Sequence, residues 1–497
     1  MKNICLTMLC ISFFTICGGS YGSELVISTI GIHNFIWVQI LISILYVIPI
    51  ITIYNIMFQS FPQSKDLSSW CKELFGTSIS LYVESLYIFM ECGMISSLIS
   101  LSLVYQKSFM NYIHISIFTP LQQMIILSII LTLFTIFTLY MINFEKYIKY
   151  MLIIIMIPLI LTILIFIYKI PTSSWFITSQ FPKSDKINWI LALQYIMWLN
   201  FGYEKLFIII RNNPNNIEPE IINNSKIIYV LLANILIISL TYIISLWCGC
   251  CILNYFNKDS EAFKLGNFFI ISTYLIGRTP LASLIVIAAC FSVIGRIASD
   301  LEYIHLLILI KWKNYYNKDI ENLYYINKGY ISAIIITLCF ILSIFIPQKY
   351  LIGSVSTLYS CIIFITITAF LKCLWKFQNN YYNHEILKLP LIYNEDEINN
   401  ISDIQNIQNE DLSLFSPKNF EDAIYFFNLP LKIKLIIHIF LCVPPVIFGI
   451  ILFCSYISLY YIGLIFLIII ITAIIDQLYS KYQQNLEFNY NGKIVLF

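Results

Sequence analysis

Cys17-Gly18-Gly19-Ser20-Tyr21-Gly22-Ser23-Glu24 is a run of small residues ending in a carboxylate, set inside an otherwise apolar N-terminal stretch. Glycine inside a helix costs roughly 1 kcal/mol relative to alanine. A charge at bilayer depth costs roughly 3 kcal/mol on insertion scales. Such a run is expected where a helix breaks and offers bare N–H and C=O groups to a ligand. The positive helix end at Gly18, Gly19, Ser20, Tyr21 and Gly22 suits a substrate carboxylate, and Glu24 would hold a substrate amine or a proton. The alternatives are close helix packing by the glycines and a structural pairing for Glu24.

A second anomaly is Trp198-Leu199-Asn200-Phe201-Gly202-Tyr203-Glu204-Lys205, followed by Arg211-Asn212-Asn213-Pro214. Trp198 can stack over a cationic substrate or simply pack. Asn200, Gly202 and Tyr203 lie on the break and would line a pocket. Glu204 is a candidate proton carrier, because burial favours the neutral form of a carboxylate; Lys205 would oppose this if it reached the same group. Glu84 and Glu91 are seven residues apart, hence on one helix face, with Glu91 the deeper. An intramembrane carboxylate is a functional candidate by default, so Glu91 either couples protons or pairs with Arg296 or Lys205. Arg296 and Asp300, four apart on a helix, are expected to pair with each other.

These residues need a scaffold, and composition says what kind. The chain has 497 residues, of which 59% are hydrophobic and only 11% charged; its mean hydropathy is +0.82. Soluble domains carry about 25% charged residues, so this is a polytopic membrane protein. Each span needs about 20 apolar residues. Twelve are expected, near 4–29 (interrupted), 34–58, 80–104, 115–142, 147–169, 188–210 (interrupted), 226–254, 281–310, 330–346, 351–376, 432–454 and 457–478. With the N-terminus inside, 19 Lys and Arg residues fall on the cytoplasmic side and 8 outside, which orients both termini to the cytoplasm. A competing reading of Met1 to Ser23 is a cleaved secretory signal, with a lysine, an apolar core and then small residues.

The segment 378–430 is polar and low in complexity, with nine acidic residues against Lys388 and Lys418. It reads as a mostly disordered cytoplasmic loop. Most of the 14 cysteines sit in apolar runs, as small packing residues do. Cys248 and Cys251 form a CxxC with no matching ligand set, so no metal or other cofactor is expected there. The net charge of +2 gives no sign of nucleic-acid binding.

Two interrupted helices at corresponding positions in two halves point to an inverted-repeat transporter, with residues 1–170 and 188–377 as the repeats and 431–480 as two further helices. The motifs add a family. Trp198-x-x-x-Gly202-x-Glu204 followed by Asn213-Pro214 and Pro219 resembles the sixth-helix signature of the amino acid–polyamine–organocation (APC) superfamily. Gly18-Gly19-Ser20-Tyr21-Gly22-Ser23-Glu24 resembles the first helix of eukaryotic polyamine and L-type amino acid permeases. Ser292-x-x-Gly295 with Ser299-Asp300, and Pro444-Pro445, are similar to later helices of the same group. Ser20, however, replaces the group's usual proline. The resemblance implies an all-α LeuT-type fold with broken first and sixth helices, working by alternating access.

The expected function is a secondary transporter of amino acids or polyamines, with cationic cargo favoured and protons as the coupling ion. Sodium coupling or exchange is the alternative, and a transporter-like nutrient receptor a more distant one. No phosphate loop, HExxH or nucleophile elbow suggests an enzyme. Residues 105–114 contain no cysteine, so no disulfide-linked heavy chain is expected as a partner. The plasma membrane is the favoured location.

Overall fold

The computed structural model describes residues 2–61, 66–112, 144–175, 187–207, 225–257, 260–263, 266–316, 321–388 and 431–455, with single positions at 122, 129 and 132. Regular structure among them is entirely helical: α1 (Lys2–Ile16), α2 (Glu24–Ile42), a π-helical turn (Ser43–Val47), α3 (Ile48–Ser60), α4 (Leu67–Phe75), α5 (Thr77–Tyr112), α6 (Phe144–Lys169), α7 (Trp189–Leu199), α8 (Ser225–Tyr255), α9 (Phe268–Tyr316), α10 (Glu321–Phe345), α11 (Gln348–Lys388) and α12 (Leu431–Ser455), with short 3-10 turns at Thr172–Ser174 and Ser260–Phe263. Long isoleucine-rich runs would suit strands in water. In a lipid-like interior the helix wins, because it satisfies every peptide group within one segment.

Among the described residues, six stretches are long and apolar enough to cross a membrane: Glu24–Ser60, Thr77–Tyr112, Lys149–Lys169, Ile227–Tyr255, Phe268–Ile308 and Gln348–Trp375. Shorter apolar helices run over Trp189–Leu199, Ile331–Phe345 and Ile439–Leu452. The expected spans at 115–142 and 457–478 fall outside the described ranges, three single positions of the former excepted.

Several boundaries differ from the sequence reading, each for a local reason. The expected first and second spans meet inside α2, where Gly31 adopts φ 77°, ψ 165° and turns the chain without a loop. The expected eighth span is preceded by a short helix from Phe268, joined to it through a kink at Arg278 (φ 56°, ψ −159°) just before Pro280. The short helix ends on a cation: Lys169 Nζ donates to the Ile276 carbonyl at 2.5 Å. A surface helix, α4, is started by Asp66, whose carboxylate accepts from Ser69 N–H at 3.0 Å. Helix α11 runs on to Lys388, eleven residues into the stretch read as disordered, since 378–388 contains no glycine or proline. Residues 389–430 lie outside the described residues.

Helix α1 sits at the centre, packed against α6, α8 and α9. Phe13, Phe14 and Ile16 are buried there. Helix α7 packs on α2, α11 and α12, which sets the two interrupted segments side by side.

Candidate functional site

Helix α1 stops because its last N–H groups, Cys17 and Gly18, both reach back to the Phe13 carbonyl, at 2.8 and 3.1 Å. Gly18 (φ 66°) then takes a left-handed turn. A Cβ there would stand 2.9 Å from Ser292 Oγ, so no larger residue fits against α9. Ser23 Oγ donates to the Ser20 carbonyl, and the chain becomes helical again at Glu24. Gly22 N–H donates to Tyr105 Oη at 3.3 Å.

The second break begins where α7 ends at Leu199. The Leu199 carbonyl is taken by Tyr242 Oη, at 3.1 Å. Asn200 forms a reciprocal amide pair with Gln39 of α2, both bonds being 3.2 Å. Gly202 has φ 107°, and a Cβ on it would run into the Thr15 carbonyl of α1. Trp198 lies against the other break: its ring edge is 3.5 Å from where a Gly22 Cβ would sit. Its indole N–H donates to Met94 Sδ at 3.0 Å. Each break therefore touches the helix that leads into the other: Gly202 meets Thr15 of α1, and Gly22 meets Trp198 of α7.

Buried charges surround this contact. Lys205 Nζ lies 2.7 Å from both Glu91 of α5 and Asp300 of α9, and all three are buried. The expected Arg296–Asp300 pair does not form, because Asp300 turns to Lys205. The Arg296 guanidinium instead donates to the Cys17 carbonyl at 3.4 Å and lies 5.9 Å from the Trp198 ring. Lys205 reaches Glu91, not the neighbouring Glu204, whose Oε2 accepts from Tyr359 Oη at 3.1 Å. Phe201 stacks on that tyrosine at 3.8 Å. Glu24 accepts through one oxygen from Tyr105 Oη and from Gly266 N–H at 3.1 Å, tying the first break to α5 and to the approach to α9. Glu84 stands apart, 3.4 Å from Ser68 Oγ.

Gly18, Gly19, Ser20, Tyr21, Gly22, Glu24, Trp198, Asn200, Gly202, Tyr203, Glu91, Glu204 and Lys205 thus fall in one buried region. Ser20 Oγ, the Tyr21 and Tyr203 hydroxyls and Arg296 Nε have no hydrogen-bond partner there among the described residues. Buried polar atoms are paired in the great majority of cases, so each of these groups is open to an ordered water or a polar ligand. Sequence reasoning missed Gln39, Met94, Tyr105, Tyr242, Gly266 and Tyr359. Gln39 carried a signal, being an amide inside an apolar run; the tyrosines did not, in a chain with 35 of them. Cys251 Sγ donates to the Trp175 carbonyl at 3.3 Å, and no group of His, Cys, Asp and Glu among the described residues is arranged to hold a metal.

No model of a known protein family matches the chain, and no curated protein matches it either. Fold and helix composition define a class: this is an all-α, multi-pass membrane protein.

Proposed function

We propose that the protein is a secondary active transporter for amino acids or polyamines, built on an APC-type, LeuT-like core of twelve spans and working by alternating access. The observation that carries this reading is the contact between two broken helices, Gly202 on Thr15 and Gly22 under Trp198, amid buried polar groups that lack partners among the described residues. Non-helical backbone inside an apolar bundle is tolerated where it lines a cavity or binds a ligand. The best use of such paired breaks is a small polar cargo held between two rocking halves.

Proton coupling is supported by charge. Glu24, Glu91, Glu204 and Asp300 are buried, against the buried cations Lys205 and Arg296. Lys205 serves Glu91 and Asp300 together, so the cluster holds more negative than positive charge. A water-poor interior tolerates such an excess poorly, and proton uptake relieves it. Glu204 and Glu24, held by tyrosines and without a basic partner among the described residues, are the proposed carriers, with Glu91 and Lys205 setting the balance between states. Their surplus is also the argument for a cationic cargo. Sodium coupling has less support, because the guanidinium of Arg296 lies at the carbonyl end of α1, where a coupling cation would be expected.

The test is uptake of labelled arginine, lysine, leucine and putrescine into vesicles containing the purified protein, with an imposed pH gradient and with sodium or choline outside. Accumulation that follows the pH gradient in choline supports the reading. Uptake abolished by choline at constant pH replaces protons with sodium, and no uptake of any compound in either medium defeats the transporter reading. In the cell, the plasma membrane with both termini cytoplasmic is the proposed setting.

A further inference from the structure

We infer that Arg296 is the receptor for a carboxylate on the cargo, so that the transported molecule belongs to the amino-acid class and not to the diamines or polyamines; this rests on the transporter reading above.

Arg296 is 2% exposed, and its guanidinium carries five donors in a fixed fork. Its contacts are poor for a buried charge. Nη1 donates to the Cys17 carbonyl at a long 3.4 Å, Nη2 to the thioether of Met94 at 3.8 Å, and Nε to nothing among the described residues. No carboxylate forms an ion pair with it there. The acid best placed on its own helix, Asp300, is bound to Lys205, as is Glu91. The carbonyl end of α1 supplies roughly half a charge, which cannot balance a whole one.

A buried lysine relieves such a mismatch by losing its proton; an arginine cannot. The guanidinium must therefore be matched by an anion that the described residues do not supply. Its position says where. Its bond to Cys17 puts it one residue before Gly18, at the break, and Trp198 spans from it to Gly22. Ser20 Oγ, on the same break, is fully buried and has no partner among the described residues. A planar carboxylate meets a guanidinium fork through two parallel N–H···O bonds. A diamine offers this site only more positive charge. Glu24 and Glu204 remain for an amine, so a cargo with both groups fits where a purely cationic one does not.

The competing account is that Arg296 pairs with an internal acid in another conformation. Competition binding on the purified full-length protein in lipid nanodiscs separates the two. The probes are leucine, lysine, phenylalanine and serine, each beside the amine left when its carboxylate is removed (isoamylamine, cadaverine, phenethylamine, ethanolamine), with putrescine added. Expected is at least one amino acid binding 100-fold or more tightly than its paired amine. Arg296→Gln should bring that ratio within threefold, and Arg296→Lys should keep part of it. Amines binding as well as amino acids, or Arg296→Gln leaving the ratio intact, overturns the inference; vesicle uptake of the amines would then leave the transporter reading standing. Neither class binding nor being taken up overturns both. The wild-type ratio decides even if a variant fails to fold.

Discussion

Replacing Lys205 with methionine removes the one cation shared by Glu91 and Asp300, which lie 2.7 Å from it on either side. Both acids are fully buried, and breaking a buried pair by deleting one partner costs about 3–5 kcal/mol. The charge balance gives an independent value. The intact group already carries one surplus negative charge, so losing Lys205 requires one more proton to restore it. Protonating a carboxylate costs about 1.4 kcal/mol for each pH unit above its solution value near 4. That is about 4 kcal/mol at pH 7 and about 1.4 kcal/mol at pH 5. The sign follows: proton uptake becomes cheaper as pH falls, so the variant's deficit shrinks on acidification. For a chain this long a kcal/mol shifts the melting temperature by roughly 1–2 °C. Thermal unfolding of Lys205→Met against wild type, each in nanodiscs, should show a deficit of roughly 4–8 °C at pH 7 and roughly 1–3 °C at pH 5. The triple variant Lys205→Met, Glu91→Gln, Asp300→Asn should recover much of the loss, because no charge is left to bury. A Lys205→Met protein as stable as wild type at pH 7, or one whose deficit grows at pH 5, would refute the reasoning.

Gly202→Ala should be far more harmful than Gly76→Ala: both sites have positive φ, which costs about 1–2 kcal/mol for an L-residue, but only at Gly202 does the new methyl meet a carbonyl, and at Gly76 nothing lies within 4 Å. The yield of monodisperse protein on size exclusion reads the difference. Gln39→Leu and Asn200→Leu should each cost about 1–3 kcal/mol by orphaning the other amide, whereas the double variant should cost less than their sum by about 1 kcal/mol or more in a thermal-unfolding cycle. Tyr105→Phe removes a donor from Glu24 and should cost about 1–3 kcal/mol; Glu24→Gln, which keeps an acceptor oxygen, should be milder than Glu24→Leu in the same melt.

Much of the frame was legible. Glycines and acids inside apolar runs are expensive unless the helix breaks, and the chain is non-helical at 17–23 and from Asn200 to Glu204. What escaped depends on neighbours that spacing does not name. The i,i+4 rule joins Arg296 to Asp300 on an isolated helix, but in the packed protein Lys205 arrives from another segment and takes the acid. The expected boundary between the first two spans, at 29–34, does fall on Gly31, but spacing does not show that the turn is made by this one residue without a loop. Tyr105 and Tyr359, which hold Glu24 and Glu204, are hidden among many tyrosines. The continuation of α11 to Lys388 was obscured by polarity, which argues against a core but not against a helix.

Gly31 has a mechanical consequence. It is a single-residue elbow in α2, and successive Cα atoms stay about 3.8 Å apart, so the two arms cannot separate. The joint fixes the spacing of the arms but leaves their angle to φ and ψ, so it is a hinge. The far arm carries Gln39, whose amide clasp with Asn200 fastens that side of the hinge to the opposite break.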